Sequence, residues 1–251
     1  MRLPIYFIGA GPGDPELITL KGKRLIDNAD LVIYTGSLIP DALIQGLKAE
    51  IHDSSGLRLS EIMDLMIAAW NDKKRIVRLH TGDPAIYGAI KEQMDALSMH
   101  RIPFEVVPGV SSITAASAAL KAELTVPGVS QTVIITRLAG RTPVPQKERL
   151  ESLAHHQATM MILLSAGMID SVVKELMDGG YPGDTPVIVL EKVTWPEERI
   201  IMATLASISD KIRALNIHKT AIIAVGKAFG AEAAGRRSML YGEDFRHGCR
   251  E

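Results

Sequence analysis

The sequence has 251 residues, with 28 lysines and arginines against 29 aspartates and glutamates, a formal net charge of −1 and a single cysteine. This balance gives no overall attraction to nucleic-acid phosphates or to an anionic membrane, and one thiol excludes an intramolecular disulfide or a cysteine-based zinc cluster. No apolar stretch is long enough to cross a bilayer, and the chain starts without a signal-peptide pattern. We therefore expect a globular, cytoplasmic protein in which Cys249 is an inert thiol near the chain end.

Short runs rich in β-branched residues recur along the chain, and segments with the apolar spacing of helices lie between many of them. In chain order, the predicted strands are Ile5–Ile8, Leu31–Tyr34, Arg75–Leu79, Phe104–Val107, Thr132–Thr136, Met160–Leu164, Val187–Leu190, Arg199–Met202 and Ala221–Val225. The clearest predicted helices begin at about Thr19 or cover Leu59–Trp70, Ile90–Leu97, Ser111–Leu120 and Ile169–Leu176. This alternation predicts an α/β fold with largely parallel sheets.

A change of pattern near residue 120 predicts two domains. Beyond it, Val187–Leu190 and Arg199–Met202 are separated by only Glu191–Glu198, which is too short for a helical crossover, so these strands are predicted to pair antiparallel. We expect an N-terminal α/β domain over residues 1–115 with a largely parallel sheet, and a C-terminal α/β domain over 120–230 with a mixed sheet. Residues 231–251 are polar and are predicted to form a loosely ordered tail or a contact with a partner chain.

The loop Gly9–Pro15 follows the first predicted strand, at the end where parallel sheets bind ligands. It departs from the dinucleotide-binding pattern G-x-G-x-x-G, because Asp14 replaces the third glycine and Pro12 has no backbone N–H to offer a pyrophosphate. Tyr34–Gly36 also occupies the place where an acidic residue would bind a ribose. The glycines serve either a tight turn alone or a loop of fixed shape near a ligand, and the pattern favours the second while disfavouring NAD.

Two more loops of this kind, His80–Gly88 and Pro108–Ser112, follow predicted strands. In the first of them Gly82 permits close backbone approach, and Pro84 stiffens the turn. Asp83 is predicted to cap a following helix, to contribute its carboxylate to a cofactor pocket, or to do both. The serines that end the other loop are predicted to cap a helix and to present their hydroxyls. Three such loops at the ends of three strands predict a single site.

In this order and spacing the three loops resemble those of the tetrapyrrole methylase family, and the resemblance covers about residues 3 to 230. It is carried by Gly9–Thr19, Gly82–Gly88 and Val107–Ser112. The resemblance implies two α/β domains with S-adenosyl-L-methionine bound in a cleft between them, and S-adenosyl-L-homocysteine as the product. It also implies a homodimer and a small-molecule tetrapyrrole substrate, while neither nucleic acid nor a membrane is expected as a partner.

Further segments look like the branch of the family that methylates C-11 of precorrin-4 or cobalt-precorrin-4 in cobalamin synthesis, namely Tyr34–Pro40, Ala122–Val129, Thr136–Pro143 and Thr194–Glu198. Val193–Trp195 and Leu164 stand where the uroporphyrinogen branch has a Gly-Thr pair and a methionine. A sister activity on precorrin-2 or uroporphyrinogen III, or diphthine synthesis, remains an alternative. So does another class of protein, a nucleotide-binding oxidoreductase or a non-catalytic cofactor-binding module.

Carried over position by position, the resemblance implies a cofactor pocket drawn from both domains. Its members are Pro12, Gly82, Asp83, Ile86, Ser111, Ser112, Leu164, Val193 and Ala221. Without the resemblance, Leu164 and Ala221 are interpreted as ordinary core residues.

A substrate with several carboxylates requires a local basic lining on a protein of this net charge. Arg137 and Arg141 lie in a proline-bounded loop that suits either a movable flap or a plain solvated loop. Asp14 and Ser37 are predicted to hydrogen-bond pyrrole N–H groups or to orient the ring.

Methyl transfer from a sulfonium depends mainly on alignment and partial desolvation, so the sequence assigns no catalytic side chain and no metal ligand. His155 and His156 are adjacent in a helical stretch, where neighbours point to different faces. They are therefore predicted to be exposed rather than to bind a metal.

Overall fold

The computed structural model describes residues 3–242, 245, 246 and 248, so Cys249 and its interpretation as an inert thiol lie outside the described residues. The chain forms two compact units, which we call the N-terminal unit (Met1–Ala115 with Lys192–Glu197) and the C-terminal unit (Ala116–Glu191 with Glu198–Glu251). No helix in the described part of the chain is long and apolar enough to span a membrane.

The N-terminal unit is built on a five-stranded sheet whose paired strands are all parallel. The strands are β1 (Ile5–Gly9), β2 (Leu31–Tyr34), β3 (Glu50–Asp53), β4 (Ile76–His80) and β5 (Phe104–Val107). The helices of this part of the chain are α1 (Leu20–Asp27), α2 (Asp41–Ile44), α3 (Leu59–Asn71), α4 (Lys91–Met99) and α5 (Ser112–Leu120). The strand order is β3-β2-β4-β1-β5, so β4, β1 and β5 lie side by side.

The strands of this sheet carry apolar side chains on both faces. Phe7 and Ile33 belong to a core cluster that includes residues of α3 and α4, whereas Ile8 and Val32 belong to a cluster that includes residues of α1 and α2. Because neighbouring residues of a strand point to opposite faces, both faces are covered by helices, as parallel sheets require. This explains why the sequence shows unbroken apolar runs here rather than alternation.

Strand β3 was not predicted from the sequence. It contains one apolar residue, Ile51, between charged and polar neighbours, and therefore lacks both a buried-strand run and a regular alternation. It forms at the edge of the sheet by pairing Leu31–Tyr34 with Glu50–Asp53. A short, charged edge strand limits pairing with other chains.

The C-terminal unit has a five-stranded mixed sheet. Its strands are β6 (Val133–Arg137), β7 (Thr159–Leu163), β8 (Pro186–Glu191), β9 (Arg199–Thr204) and β10 (Ala221–Val225), and its helices are α6 (Leu150–Ala154), α7 (Ile169–Asp178) and α8 (Leu205–Ala214). The order is β6-β7-β10-β8-β9. Among the described strands of this sheet, β6 and β7 pair in parallel and the other pairs are antiparallel, which confirms the predicted antiparallel pairing of β8 with β9.

The first residues of two helices illustrate how burial determines stability. Leu205 begins α8 and is 1% exposed within the core of the C-terminal unit, whereas Leu20 begins α1 and is 92% exposed. We expect Leu205→Ala to lower the free energy of unfolding by about 2–5 kcal/mol, because it removes buried methyl groups and leaves a cavity. Leu20→Ala, the matched control, should change it by less than about 0.5 kcal/mol. Urea denaturation measures both, and equal effects would contradict this assignment of the core.

Candidate functional site

The loops after β1 and β4 are joined by backbone hydrogen bonds. Gly82 donates its N–H to the carbonyl of Gly11 at 2.8 Å, Gly11 donates to the carbonyl of Gly82 at 3.3 Å, and Ala10 donates to the carbonyl of His80 at 2.7 Å. The loop after β5 lies beside them, because β5 neighbours β1 in the sheet. The structure therefore brings together the three loops that the sequence analysis selected.

Three glycines let these loops touch backbone to backbone. A Cβ atom on Gly9 would lie 2.5 Å from the carbonyl oxygen of Gly82 and 2.6 Å from the Cα of Gly109. A Cβ on Gly109 would overlap the same carbonyl oxygen. Gly82 itself has φ +61°, in the left-handed region that glycine adopts without strain. No side chain larger than hydrogen fits at Gly9 or Gly109 without moving a neighbouring loop.

Asp83 links two of the loops. Its Oδ2 accepts the N–H of Gly109 at 2.9 Å, and its Oδ1 accepts the N–H of Ala85 at 2.8 Å. The prediction that it caps a following helix is wrong, because Tyr87 and Ala89 adopt positive φ and the next helix, α4, begins only at Lys91. The carboxylate stabilises a turn and a neighbouring loop instead.

The start of α5 agrees with the sequence prediction for Ser111, whereas Ser112 is the first residue of the helix. The Ser111 hydroxyl accepts the N–H of Ile113 at 3.3 Å, so it caps the helix that begins at Ser112. Ile86, half-buried, lies in the turn after Asp83 and donates its N–H to the Asp83 carbonyl at 3.2 Å.

A segment distant in the sequence also belongs to this site. Lys192–Glu197 lies between β8 and β9 along the chain but is part of the N-terminal unit. The indole Nε1 of Trp195 donates to the carbonyl of Pro12 at 2.9 Å, and Asp14 donates its N–H to the Thr194 Oγ1 at 2.9 Å. Sequence reasoning used this segment as a mark of the family branch and placed Val193 in the cofactor pocket, but it missed the contact of Thr194 and Trp195 with the first loop, for which the sequence contains no local signal.

The remaining predicted residues of the first loops lie in ordinary local structure. Pro12 is buried, and Val193 is 5% exposed. The Asp14 Oδ1 accepts the N–H of Glu16 at 2.8 Å and so caps a short helical turn. Ser37 is exposed in another short turn, just after β2.

In the C-terminal unit, Leu164 is not a core residue. It directly follows β7, is 68% exposed and has φ +56°, so its interpretation as core is wrong. The chain turns sharply here because the neighbouring Ser165 is buried, where its hydroxyl accepts the N–H of Leu138 and donates to the carbonyl of Leu163. Ala221 begins β10 and packs half-buried against the core of its unit, as expected for a core residue.

The two arginines of the proposed flap have different environments. The Arg137 guanidinium donates to the carbonyls of Leu138, Thr142 and Pro143 at 3.3, 3.1 and 2.8 Å. It therefore braces its own loop from within. Arg141, in the same loop, is exposed.

A buried charge lies beneath the end of β4. Arg78 is 3% exposed and donates only to neutral acceptors in the bonds described, the Gln93 Oε1 at 3.1 Å and the Ile33 carbonyl at 3.3 Å. Burial lowers the pKa of Arg78 to about 10. His80, two residues on and 2% exposed, has its pKa lowered to about 3 by burial and by the nearby guanidinium. Its Nε2 has no hydrogen-bond partner among the described residues. His80 is therefore neutral at pH 7.

The described residues contain no group of three or more His, Cys, Asp or Glu side chains that could hold a metal ion. His155 and His156 follow α6 and are exposed, as predicted.

Comparison with known proteins gives consistent matches. The family model for Tetrapyrrole (Corrin/Porphyrin) Methylases matches residues 4–209. A cobalt-precorrin-4 C(11)-methyltransferase of Methanocaldococcus jannaschii is 53% identical over 98% of this chain and 96% of its own length. A precorrin-4 C(11)-methyltransferase of Pseudomonas aeruginosa is 43% identical over 98% of each chain.

Solved structures show the same similarity. The X-ray structure of the cobalt precorrin-4 methyltransferase CbiF has a TM-score of 0.88 and 46% identity, covering 90% of this chain and 96% of that chain. The uroporphyrin-III C-methyl transferase of Thermus thermophilus complexed with S-adenyl homocysteine has a TM-score of 0.76 and 28% identity, covering 90% and 93%.

The close approach of the loops predicts the effect of a single methyl group. Gly109→Ala should weaken binding of S-adenosyl-L-homocysteine at least about tenfold, because the added Cβ overlaps the Gly82 carbonyl and must separate the loops. Gly56→Ala is the matched control, since its Cβ would meet nothing within 4 Å. Calorimetric titration measures both variants. Wild-type affinity in Gly109→Ala would show that the packing of the loops does not shape the binding site.

The buried imidazole predicts a loss of stability in acid. The unfolded chain protonates His80 near its ordinary pKa of 6.5 and the folded chain only near 3, so stability that is fully present above pH 6.5 falls as the pH decreases toward 3. This one group contributes a slope of about 1.4 kcal/mol per pH unit in that window. Urea midpoints measured between pH 7 and 4 should fall less steeply for His80→Gln than for wild type. His156→Gln, in which His80 is still present, should keep the wild-type slope.

Proposed function

Since this chain belongs to the tetrapyrrole (corrin/porphyrin) methylase family, we propose that it is an S-adenosyl-L-methionine-dependent C-methyltransferase that acts at C-11 of precorrin-4 or cobalt-precorrin-4, in cobalamin biosynthesis. The observation that carries the proposal is the 53% identity, over nearly the whole of both chains, with a relative named for that reaction. We further propose that the protein is a cytoplasmic homodimer.

The loops of the N-terminal unit pack against one another through their backbones, and this fixed arrangement suits the binding of a ligand beside them. Gly9, Gly82 and Gly109 leave backbone atoms, rather than side chains, on the facing surfaces of the loops. A relative of the same family carries S-adenyl homocysteine in its solved structure. The proposed cofactor residues of this unit are Pro12, Gly82, Asp83, Ile86, Ser111, Ser112 and Val193, and the resemblance adds Leu164 and Ala221 of the C-terminal unit.

The cofactor supplies a methyl group on a positively charged sulfonium. The residues of this chain hold the reactants in place and exclude water, which is the main requirement of such a displacement. Asp83 serves this role through two backbone hydrogen bonds: the bond from Gly109 joins the loops after β4 and β5, and the bond from Ala85 stabilises the turn after β4. The neutral state of His80 leaves the ends of the strands without an additional buried positive charge. The proposal assigns no general acid or base.

The proposed substrate-binding residues are Asp14, Ser37, Arg137 and Arg141. Arg141 is the exposed cation of its loop and suits a peripheral carboxylate of the ring. Arg137 contributes differently, because its guanidinium already binds three carbonyls and so determines the shape of the loop that presents Arg141.

Product analysis tests the proposed reaction. The protein is incubated anaerobically with methyl-labelled S-adenosyl-L-methionine and, in separate reactions, with precorrin-4, cobalt-precorrin-4, precorrin-2 and uroporphyrinogen III. We expect label at C-11 of precorrin-4 or its cobalt form, with Gly56→Ala active and Gly109→Ala impaired. Label on precorrin-2 or uroporphyrinogen III alone would reject the substrate in favour of a sister activity. The ratio of rates with and without cobalt identifies the natural form of the ring.

The arginine loop yields a separate prediction. Arg141→Ala should raise the KM for the macrocycle about tenfold, through loss of a charge-assisted hydrogen bond, and leave the affinity for S-adenosyl-L-homocysteine unchanged. Arg149→Ala, another exposed arginine of the same unit, serves as the control. Arg137→Lys should also raise the KM, because an ammonium lacks the planar fork that binds several carbonyls at once. Equal losses of ring and cofactor affinity would contradict this division of roles.

A further inference from the structure

The N-terminal unit contains both tryptophans of the chain, and each donates its indole N–H to a backbone carbonyl. Trp70, in α3, donates to Leu3 at 3.1 Å. Trp195 donates to Pro12 at 2.9 Å, across 183 positions of sequence. The two bonds are chemically alike, but only that of Trp195 reaches a loop of the candidate site.

Three successive residues of the first loop are engaged by the segment Lys192–Glu197. Besides the bond to Pro12, the Trp195 ring lies directly over Gly13, where a Cβ atom would overlap Cδ1 and Nε1 of the indole. The N–H of Asp14 is bound by the Thr194 hydroxyl at 2.9 Å. The segment thus contacts the Pro12 carbonyl, the Cα of Gly13 and the N–H of Asp14 simultaneously.

These contacts fix two peptide planes. Each peptide group is planar, and no cis peptide bond occurs among the described residues, so a C=O and the following N–H point in opposite directions. Holding the Pro12 carbonyl therefore aims the Gly13 N–H away from the indole. Holding the Asp14 N–H likewise aims the Gly13 carbonyl away from Thr194. The N–H and the C=O of Gly13 are therefore oriented by the contacts that Trp195 and Thr194 make with the neighbouring residues Pro12 and Asp14.

The segment that does this is itself held in an unusual conformation. Lys192 and Thr194 have φ +49° and +69°, which L-residues other than glycine adopt rarely. The backbone N–H of Trp195 donates to the carbonyl of Lys192 at 2.9 Å. The Lys192 ammonium lies 3.6 Å from the Glu197 carboxylate. Such conformations persist where surrounding contacts determine them, and they are concentrated at functional sites.

We propose that Trp195 is a positioning residue for cofactor binding, which acts through Pro12 and Gly13 by fixing the peptide planes of the first loop. The inference rests on the proposed function in that the ligand is taken to be the adenosyl sulfonium cofactor or its thioether product. Trp195 pre-organises the loop, so that binding does not have to order it.

The two tryptophans provide a matched pair of variants. Trp195→Phe keeps an aromatic ring and removes the N–H donor, and Trp70→Phe removes an equivalent bond away from the loops. We expect Trp195→Phe to weaken binding of S-adenosyl-L-homocysteine about fivefold, from the loss of one hydrogen bond. Trp70→Phe should bind as wild type, and both variants should lose a similar amount of thermal stability. Wild-type affinity in Trp195→Phe, or equal losses in both variants, would overturn the proposal.

A double-mutant cycle tests the contact with Gly13. Gly13→Ala drives a methyl group into the indole, whereas in Trp195→Ala the two closest atoms are gone and, of the three nearest atoms, only the Thr194 Oγ1, 2.9 Å away, remains. Losses of affinity for S-adenosyl-L-homocysteine should therefore be strongly non-additive, with the double variant no weaker than the weaker single variant. Additive losses would show that Gly13 and Trp195 act independently and would overturn the proposal. If a Trp195 variant does not fold, the hydrogen bond from the Asp14 N–H to the Thr194 hydroxyl is tested instead. Thr194→Val removes the hydroxyl and should lower the affinity for S-adenosyl-L-homocysteine, whereas Thr194→Ser keeps the hydroxyl and should not.

Fluorescence separates this inference from the proposed reaction. In Trp70→Phe, Trp195 is the only tryptophan, and its emission should change when S-adenosyl-L-homocysteine is added. A protein that shows this change and binds more weakly as Trp195→Phe, yet places no label on C-11, would overturn the proposed reaction alone. A protein that methylates C-11 while Trp195→Phe keeps wild-type affinity would overturn the positioning role alone.

Discussion

The contact of backbone with backbone around the Gly82 carbonyl is the constraint on which the candidate site depends. Gly9 and Gly109 approach this one oxygen from adjacent strands, closer than any side chain would allow. The parallel sheet makes the contact possible, because β4, β1 and β5 end side by side. Asp83 adds a carboxylate bridge across the same gap. The result is a surface made of peptide groups, whose positions are set by the sheet rather than by flexible side chains.

Two charged side chains of the N-terminal unit, Arg78 and Asp83, form hydrogen bonds with neutral polar groups. The buried Arg78 is bound by the side-chain amide oxygen of Gln93 and the carbonyl of Ile33, and burial together with this guanidinium lowers the pKa of the neighbouring His80. Closer to the loops, the Asp83 carboxylate is bound by two backbone N–H groups. In the hydrogen bonds described, neutral polar groups rather than opposite charges bind both ions. For the proposed methyl transfer, neutral surroundings suit a step in which the positive charge of the sulfonium disappears.

The sequence predicted what depends on neighbours along the chain and missed what depends on tertiary pairing. Runs rich in apolar and β-branched residues revealed nine of the ten strands of the described chain, including β9, which is largely exposed at the edge of its sheet. The charged β3 is a strand only because β2 lies beside it. Asp83 has the same appearance as a helix cap in sequence, and its real partner, Gly109, is 26 positions away. Leu164 looks like core because it extends an apolar strand, although the turn that buries Ser165 exposes it.

The late position of the segment Lys192–Glu197 in the sequence also determines the order in which the N-terminal unit can fold. During synthesis, the first loop is made at the start of the chain, but its partner Trp195 emerges 183 residues later. The unit cannot be complete when its own sheet has left the ribosome, because its last part, Lys192–Glu197, is made only after β8. For the same reason, a fragment that stops at residue 115 contains every strand of that sheet and still lacks part of the unit. The N-terminal unit therefore cannot be cut out of the chain as one continuous segment, because it needs residues from both before and after most of the C-terminal sheet.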